Sequence, residues 1–506
     1  MFKDIRQVVK DSILYGMGNI AVKLVGFVLI PLYTDEKYFS PADYGLMGLL
    51  EVTSQIIIAV MGLSLFSGLI RWYWDDEYKD RQKSIFFTTL LFTFATSIFV
   101  GGLLWFNVDG LSALILYGEE YTMASRVPYI LQLLILYSIL AALIELPQNL
   151  LRLKSKPLFY SLSNITRLFV TLVLTVYFTV SLERGIWGIY EAQLIGVAVQ
   201  LIILLPLIIR NSSLHVDRTC TVQLLTYSYP LIFSAIIGNL LTVFDRYFIK
   251  SFQGLDEVGF YSLGYKVGNT LKVFVVTSVQ LALTPLLMKK MNDPDNKRFY
   301  AKVLTYFSFG LMFCALGLNL FSREGIILVT TNPDYINALY VIPFITYAIF
   351  FGMMRECCLI GLQVTKKTKI ISYVIVSITI LNFVLNMILV PVMGMYGAAL
   401  ATTLVQFVAW FACYVYAQRY YPIPYELSKV GKVLVVGTVL YLAGIMVNGV
   451  NMWIGIVIKC GILASYPFLL YWWHFYEQEE LVNLKGAWVK WSNLQNLKEN
   501  IRNIKK

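Results

Sequence analysis

Long apolar runs, each ended by charged residues, proline or glycine, recur along almost the whole chain. The hydrocarbon core of a bilayer is about 30 Å thick, and an α-helix needs about 20 predominantly apolar residues to cross it. Runs of that length predict fourteen transmembrane helices and hence an all-α polytopic membrane protein. The predicted spans are approximately 12–34, 44–70, 84–106, 127–151, 158–180, 185–209, 224–249, 258–288, 303–321, 336–363, 370–390, 394–417, 433–450 and 452–473.

The composition agrees with this pattern and narrows the class of protein. Of the 506 residues, 58% are hydrophobic and 14% are charged, whereas about 25% are charged in an average soluble protein. No long polar stretch separates the spans, which excludes a soluble enzyme held by one or two membrane anchors. The basic start of the chain precedes an apolar run without a small-residue cleavage site, so we expect a retained first helix.

The distribution of lysine and arginine predicts the orientation of the helices. With the N-terminus in the cytoplasm, the cytoplasmic segments hold 29 of the 41 basic residues and the outer loops hold 5. Cytoplasmic loops of membrane proteins carry the excess of basic residues, so we expect both termini in the cytoplasm. The remaining seven basic residues lie inside predicted spans: Lys23, Arg167, Arg246, Lys266, Lys272, Arg355 and Lys459.

The two halves of the chain match each other at nearly constant offsets. An offset of 214 residues aligns Gly45 with Gly259, and an offset of 209 aligns Gly188 with Gly397. Because six helices per half is an even number, both halves enter the membrane from the same side and form a parallel repeat. The predicted divisions are an N-lobe at 1–215, a C-lobe at 216–425, two accessory helices at 426–475 and a cytoplasmic amphipathic helix on the membrane surface at 476–506.

Polar side chains inside the spans predict a hydrated cavity. A charge at mid-bilayer costs at least about 2.5–3.5 kcal/mol, so each one needs water, a partner or a substrate. In the span 258–288, Lys266, Asn269, Lys272 and Gln280 share a sector of about 120°, at about 100° per residue. Since the spans contain seven basic residues against five acidic ones, the predicted cavity is cationic and suits an anionic substrate.

The candidate site residues follow from this reasoning. The basic groups expected to attract the substrate are Lys23, Arg167, Lys266, Lys272 and Arg355, and the expected polar lining is Asn19, Glu51, Gln55, Asn164, Asn269 and Gln280. Candidate carboxylates for a coupling proton or cation are Glu51, Glu145, Glu191, Asp245 and Glu356. Asp245 and Arg246 form either a gate or a local ion pair. The alternative is that most of these charges pair with one another as packing contacts, for example Glu145 with Arg152 and Arg355 with Glu356.

Motifs typical of pumps and enzymes are absent from the sequence. It contains no GxxxxGK[ST] loop that would cradle ATP and no HExxH motif that would bind zinc. The six cysteines have no CxxC spacing, and there are two histidines. We therefore expect no catalytic residues, no metal and no cofactor. Transport would then draw on an ion gradient, the membrane potential or the gradient of the substrate itself.

Three segments resemble a known family. Residues 31–49, PLYTDEKYFSPADYGLMGL, resemble the first helix–loop–helix of bacterial lipid-linked oligosaccharide flippases, the polysaccharide transporter family of the superfamily that includes multidrug and toxin extrusion proteins. Residues 245–266 resemble its second-half hallmark, and residues 395–403, MYGAALATT, its Gly-Ala-Ala segment. The resemblance covers essentially residues 1–420. It departs from the family in 184–194, where Ile189, Tyr190 and Glu191 replace the first-half Gly-Ala-Ala.

The resemblance implies two six-helix lobes around a central cavity. It also implies that the protein moves undecaprenyl-pyrophosphate-linked repeat units from the cytoplasmic to the outer leaflet of the bacterial plasma (inner) membrane, for O-antigen, capsule or exopolysaccharide. The implied partners are that lipid-linked oligosaccharide, the bilayer, and the polysaccharide polymerase with its chain-length machinery; no nucleic acid is expected. Diphosphate is anionic and is bound by lysine and arginine, which agrees with the predicted cationic cavity.

Two other functions remain open from the sequence. A cation-coupled multidrug exporter of the same superfamily would have an acidic or neutral cavity rather than a basic one. A membrane-embedded polymerase or ligase for the same glycans would carry catalytic residues on a large outer loop, whereas the longest predicted outer loop here, 107–126, is partly apolar.

Overall fold

The structure is a computed structural model that describes residues 26–478, except for 74–79, 214, 217, 281–286, 288–292 and 366. In these residues it contains helices and their connections and no β-strand. The helices are α1 (Pro41–Gly62), α2 (Leu65–Tyr73), α3 (Gln82–Phe106), α4 (Val108–Ile115), α5 (Val127–Leu153), α6 (Pro157–Val176), α7 (Gly185–Asn211), α8 (Arg218–Gln253), α9 (Leu255–Leu271), α10 (Asn296–Val329), α11 (Val341–Val364), α12 (Thr368–Met393), α13 (Met395–Tyr420), α14 (Leu427–Met446) and α15 (Met452–Trp472).

Eleven helices in the described part of the chain are long and apolar enough to cross a membrane, so the protein is a multi-pass membrane protein. Three predicted spans are not among the eleven. Most of the first, 12–34, lies outside the described residues, and the other two, 224–249 and 258–288, correspond to α8 and α9. Both of these helices carry several charged residues, which lowers their hydropathy. The number fourteen therefore stays a prediction.

The described residues fall into two compact units. The larger unit lies within 1–296 and 322–422, and the smaller within 297–321 and 423–506. In the smaller unit, α14 and α15 pack with the first part of α10, where the Tyr466 hydroxyl donates to the carbonyl oxygen of Phe309 at 3.1 Å. Most of the predicted amphipathic tail, 479–506, lies outside the described residues.

The start of α1 is specified by local sequence. Pro41 occupies the first turn, and Ser40 and Asp43 form a capping box in which each side chain accepts from the backbone N–H of the other. Such reciprocal bonds satisfy N–H groups that the helix leaves without partners. The Asp43 carboxylate also accepts a hydrogen bond from the Tyr121 hydroxyl. The beginning of α1 is therefore tied to the connection between α4 and α5.

In the larger unit, α1 and α9 cross with their backbones in contact. A Cβ atom added to Gly45 would overlap the carbonyl oxygen of Leu255, and one added to Gly259 would overlap that of Pro41. The two glycines are the pair that the offset of 214 aligns, so equivalent positions of the two halves meet each other. We call this contact the α1–α9 crossing.

Further contacts join the halves at the same end of the larger unit. The Thr331 hydroxyl donates to the carbonyl oxygen of Thr34 at 3.2 Å, and the Lys250 ammonium donates to the carbonyl oxygen of Tyr117. Apolar side chains from both halves form one buried core here. We call this end, which carries the connections 34–40, 116–126 and 330–333, the closed end; the predicted orientation places it outside the cell.

Candidate functional site

A cavity of about 550 Å³ lies in the larger unit. Its described lining comes from α1, α5, α6, α7 and α9, together with residues 26–33. Five side chains predicted for the site line it: Glu51, Gln55, Arg167, Lys266 and Asn269. The cavity therefore brings together polar groups from helices of both halves of the chain, which the sequence separates by up to about two hundred positions.

Lys266 reaches this cavity from α9. Its ammonium lies 5.9 Å from the ring centroid of Tyr33 and 5.8 Å from that of Tyr44, within the range of cation–π attraction. Among the described residues it forms no hydrogen bond and no ion pair. Gly26 gives it room, since a Cβ there would lie 3.1 Å from the lysine Cε. The charge is thus stabilised by aromatic faces and left without a counter-ion in the part of the chain described.

Arg167 reaches the cavity from α6. One terminal nitrogen, Nη2, donates to the Tyr137 hydroxyl at 2.8 Å, and the other, Nη1, donates to Gln200 Oε1 at 3.3 Å. The guanidinium carbon lies 5.6 Å from the centre of the Tyr137 ring. Both partners are neutral, and no carboxylate among the described residues pairs with this guanidinium. Arg167 therefore keeps its charge beside the cavity.

Glu51 is the acidic residue of the described lining. It lies on α1, one turn before Ser54 and Gln55, and its side chain is exposed. No hydrogen bond or ion pair to its carboxylate occurs within the described residues. The described lining thus holds two cations against one carboxylate, with uncharged polar groups from Gln55, Gln193 and Asn269 between them.

Lys272, Gln280 and Asn164 do not line the cavity. The Lys272 side chain is exposed and is not part of the cavity lining. At about 100° per residue, it lies about 120° around the helix from Lys266. A π-helical turn, Lys272–Val276, follows α9 and changes the helical period, so Gln280 leaves the sector predicted for it. Asn164 is buried behind Arg167, where its Oδ1 accepts from Gln148 and Gln200.

Three predicted site residues, Arg355, Glu356 and Glu191, form ion pairs outside the cavity. Arg355 donates to Glu356 at 2.9 Å and to Gln406 at 3.2 Å. Glu191 accepts from Arg184 at 2.6 Å and from the Tyr129 hydroxyl at 2.8 Å. These contacts match the alternative in which intramembrane charges serve helix packing.

Glu145 does not pair with Arg152, contrary to expectation. The Arg152 guanidinium is held by other partners. Arg152 instead donates to the Tyr160 hydroxyl at 2.5 Å and to Asn149 at 3.4 Å. Glu145 lies beside the C-terminal end of α1, where a Cβ on Gly62 would be 3.5 Å from its Oε2.

Asp245 and Arg246 have different surroundings, because neighbouring residues on a helix do not face each other. The buried Asp245 carboxylate accepts three hydrogen bonds from neutral donors: the Tyr261 hydroxyl at 2.7 Å, the Thr402 hydroxyl at 2.7 Å and Asn386 Nδ2 at 2.9 Å. The Arg246 Nε donates to the Ser262 hydroxyl at 3.3 Å, and its guanidinium lies over the Tyr265 ring at 5.0 Å. The predicted local ion pair is not formed.

Two amide oxygens near Asp245 lack donors. Asn386 Nδ2 bridges Asp245 and the carbonyl oxygen of Asn382. The Oδ1 atoms of Asn386 and Asn382 are buried and accept no hydrogen bond in the described part of the structure. A buried oxygen without a donor is costly. We call the Asp245 carboxylate, its three donors and these two amide oxygens the Asp245 cluster.

Two candidate site residues, Lys23 and Asn19, lie outside the described residues. Sequence reasoning also missed several residues that line the cavity. The missed residues include Tyr137, Tyr190 and Gln193. A signal for α7 was present, because Gln193 and Gln200 are seven residues apart and share one helix face. The departure from Gly-Ala-Ala at Tyr190 marked the same helix.

Family comparisons cover much of the chain. Residues 8–291, more than half of the 506 residues, match the family described as "Polysaccharide biosynthesis protein". Residues 230–388 match the family described as "MatE". The two matches overlap at 230–291, so both halves of the chain carry family signals.

Two curated proteins are similar over part of their length. An uncharacterised membrane protein of Methanocaldococcus jannaschii is 24% identical over 266 residues, which is 50% of this chain and 62% of that protein. The capsular polysaccharide biosynthesis protein CapF of Staphylococcus aureus is 20% identical over 214 residues, 41% of this chain and 54% of that protein. The match therefore spans less than two thirds of either relative.

Solved transporter structures share the fold over most of the chain. The lipid II flippase MurJ in an inward closed conformation superposes with a TM-score of 0.72 at 15% identity, over 91% of this chain and 99% of that one. An inward-facing multidrug resistance transporter of the MATE family gives a TM-score of 0.62 at 15% identity, over 83% of this chain and 96% of that one. At this identity the similarity establishes the fold alone. Taken with the family match over residues 8–291, it follows that the chain belongs to the polysaccharide biosynthesis protein family, within the superfamily of multidrug, oligosaccharidyl-lipid and polysaccharide exporters.

Proposed function

We propose that this protein translocates oligosaccharides linked to undecaprenyl pyrophosphate from the cytoplasmic to the outer leaflet of the plasma membrane. The single observation that carries the proposal is the cavity charge. Arg167 and Lys266 line it without a carboxylate partner among the described residues, and they come from different halves of the chain. Charges left unpaired at membrane depth are costly, so a dianionic diphosphate is the ligand that offsets this cost best.

The chemistry of the lining suits the remaining parts of such a substrate. Arginine and lysine donate charge-assisted hydrogen bonds to phosphate oxygens. The amides of Gln55, Gln193 and Asn269 offer donors and acceptors to sugar hydroxyls, and Tyr190 offers an aromatic face. The apolar lipid tail stays in the bilayer while the polar head crosses. A small cationic drug would instead meet a net positive lining, which is why the multidrug alternative is not favoured.

Alternating access is the proposed mechanism, and the contacts at the closed end support it. Opening the cavity to the outside requires the α1–α9 crossing and the Thr34–Thr331 contact to separate. Lys266 lies on α9 and Glu51 on α1. The two helices of the crossing therefore also contribute to the cavity lining. Substrate held between the halves would therefore bias the separation of those helices. The released oligosaccharide would pass to the polymerase and its chain-length machinery.

The Asp245 cluster is the proposed site of energy coupling. It offers a buried carboxylate and two amide oxygens without donors, a donor set that suits a proton or a hard cation. It joins α8, α9, α12 and α13 through hydrogen bonds. Binding there would change how these helices pack and so favour one state of the carrier.

The test is translocation of a labelled lipid-linked oligosaccharide in vesicles that contain the purified protein. Removing one charge-assisted hydrogen bond costs about 1.5–3 kcal/mol, or about a 10- to 100-fold loss of affinity. We expect Lys266→Ala and Arg167→Ala to lower translocation at limiting substrate by that order. Lys272→Ala is the matched control, since it removes the same charge six residues later but outside the cavity lining.

Each outcome separates the candidate functions. Translocation that is unchanged in both Lys266→Ala and Arg167→Ala contradicts the proposed site. Vesicles that export a cationic dye but leave the lipid-linked oligosaccharide in place would identify a multidrug exporter. Elongation of the glycan by the purified protein would identify a polymerase.

A further inference from the structure

A buried network of neutral amides holds Arg167, and it joins three helices. Asn164 Oδ1 on α6 accepts from Gln148 Nε2 on α5 at 2.7 Å and from Gln200 Nε2 on α7 at 2.9 Å. Gln200 is fully buried, and Asn164 is 5% exposed. Gln200 and Asn164 are therefore shielded from solvent, and the orientations of their amides depend on each other.

The directions of these hydrogen bonds fix which end of Gln200 faces Arg167. Because Asn164 presents an oxygen to both neighbours, each neighbour must present its NH₂ group to Asn164. Gln200 then turns its Oε1 toward the guanidinium, to which it is bound at 3.3 Å. A guanidinium has five N–H donors, and Gln200 and Tyr137 together use two of them. The others remain for a ligand in the cavity that Arg167 lines.

Close packing of α7 against α6 makes this contact possible. A Cβ on Gly196 would overlap the Thr171 hydroxyl and lie 3.2 Å from the carbonyl oxygen of Arg167. Gln200 follows Gly196 by four residues and so lies on the same face of α7. The glycine thus lets α7 approach α6 closely enough for the Gln200 amide to reach the arginine.

We propose that Gln200, oriented by Asn164, is a positioning residue that sets the charge preference of the cavity by holding Arg167 without neutralising it. The inference rests on the proposed function and deepens it, since it names one buried amide as the determinant of selectivity for an anionic head group. A glutamate at 200 would differ from glutamine by one atom but would form an ion pair with Arg167. The guanidinium would stay in place and its attraction for diphosphate would be cancelled.

The test compares two substitutions at position 200 that differ in charge. Binding of undecaprenyl diphosphate and undecaprenyl monophosphate to the purified protein is measured together with the thermal unfolding midpoint. We expect Gln200→Glu to weaken diphosphate binding about 10- to 100-fold, as Arg167→Ala does. Its midpoint should be no lower than that of Gln200→Met, because both substitutions lose the hydrogen bond that Gln200 donates to Asn164. Gln200→Met keeps the charge of Arg167 but loses both hydrogen bonds of the amide, the one donated to Asn164 and the one accepted from Arg167. We expect a loss of about 3- to 10-fold.

Two further variants complete the experiment. Gln406→Glu is the matched control, because Gln406 also accepts from an arginine, Arg355, at 3.2 Å but neither residue lines the cavity; its diphosphate affinity should equal that of the unmodified protein. In the Arg167→Ala background, Gln200→Met should cause no further loss of affinity, since the guanidinium that Gln200 holds is gone.

The outcomes distinguish this inference from the proposed function. If Arg167→Ala and Lys266→Ala bind diphosphate as the unmodified protein does, the proposed site itself is wrong. If Arg167→Ala loses affinity while Gln200→Glu retains it, the proposed function stands and the role of Gln200 is overturned. Equal losses in Gln200→Glu and Gln200→Met with a lowered midpoint in both would reduce Gln200 to a packing role and also overturn the inference.

Discussion

Lys266 and Lys272 show how the direction of a single side chain decides its environment in this protein. Both lie on the α9 stretch and both belong to the polar stripe that the helical period predicts. Lys266 lines the cavity and lies near two tyrosine rings, whereas Lys272 is exposed outside it. The helical period places Lys266 and Asn269 on one face of α9, and both line the cavity. It could not tell that Lys272, at the edge of that face, lies outside the cavity, because this depends on how α9 packs against α1 and α11.

At the same scale, the proposed role of Asp245 in coupling translocation to an ion gradient can be tested by substitution. Asp245→Asn keeps the shape of the side chain and removes its charge, so the cluster loses its only described carboxylate and its affinity for a proton or cation. We expect translocation by this variant to become independent of an imposed proton or sodium gradient, with the protein still in the membrane. The measurement is initial rate in vesicles with and without each gradient.

The control for that experiment is Glu356→Gln, which removes an exposed carboxylate bound to Arg355 outside the cavity. It should retain the gradient response of the unmodified protein. Gradient dependence that persists in Asp245→Asn would contradict coupling at the Asp245 cluster.

At the scale of secondary-structure elements, the α1–α9 crossing determines whether the closed end can open. Its glycines allow backbone contact between helices of the two halves, as small residues do in membrane helix pairs. The contact is made by backbone atoms, so any side chain added at either glycine would separate the helices. The aromatic side chains of Tyr44, Tyr335 and Phe260 lie in the same core, with centroid distances of 6.0 and 5.4 Å to Tyr335.

Gly45→Ala should keep α1 and α9 from making their contact at the closed end. The added methyl group meets backbone atoms of Leu255, which cannot rotate away, and carbon and oxygen approach no closer than about 3.3 Å. The helices must therefore separate by about 1–2 Å. Spin labels at the exposed positions Lys37 and Asp334, in a cysteine-free background, should report a longer distance than in the parent protein.

Gly102→Ala on α3 is the matched control, because no atom lies within 4 Å of the Cβ that it adds. Its distance distribution should equal that of the parent. A distribution in Gly45→Ala that matches both would mean that the crossing does not keep this end closed.

At the scale of the whole molecule, four charged side chains among the described residues form a network of ion pairs within the smaller unit. Lys302 donates to Glu426 at 2.9 Å and also to Glu477, and Lys429 donates to Glu477 at 2.9 Å and to Glu426 at 3.2 Å. The network joins the starts of α10 and α14 to the segment that follows α15. Hydrogen bonds from Lys302 and Lys429 lower the pKa of Glu477 to about 2.

This pKa predicts how stability depends on pH. The carboxyl pKa of glutamate in an unfolded chain is about 4.3, so Glu477 contributes stability above that pH and loses its contribution as the pH falls toward about 2. Glu477 is partly exposed, so the effect is small: Glu477→Gln should lower the thermal midpoint in detergent by about 1–2 °C at pH 7. The difference from the parent should vanish between about pH 4 and pH 2.

Asp109→Asn, which removes an exposed carboxylate from the larger unit, controls for the general effect of charge and should leave the midpoint unchanged at both pH values. A Glu477→Gln midpoint that equals that of the parent at pH 7, or a difference that grows as the pH falls, would contradict a stabilising role for the network.

The sequence predicted much of the fold because a membrane requires long apolar helices with satisfied backbones. Eleven of the predicted spans are present as helices that can cross a membrane, and the pair Gly45 and Gly259, aligned by the repeat offset, meets at the crossing. Another aligned feature agrees: Gly185 and Gly394, which are 209 residues apart, both have φ of +60° at the start of a helix.

The candidate site was predicted less completely, since it depends on partners rather than on residue types. Arg167 and Arg355 look alike in the sequence, each an arginine in an apolar span. The structure gives Arg167 two neutral partners beside a cavity and gives Arg355 a glutamate. Asn164 was expected on the cavity surface but lies behind Arg167, as a support for Gln200.

The sequence by itself determined that this is a helical membrane protein with basic residues at membrane depth, because hydropathy, helical period and charge are local properties of the chain. The family came from the match of residues 8–291 to a family of polysaccharide biosynthesis proteins. Only the tertiary structure decided which of those basic residues remain without a counter-ion beside the cavity. That outcome depends on the few ångströms that separate a guanidinium from an amide or from a carboxylate of another helix, and no pattern along one helix specifies that distance.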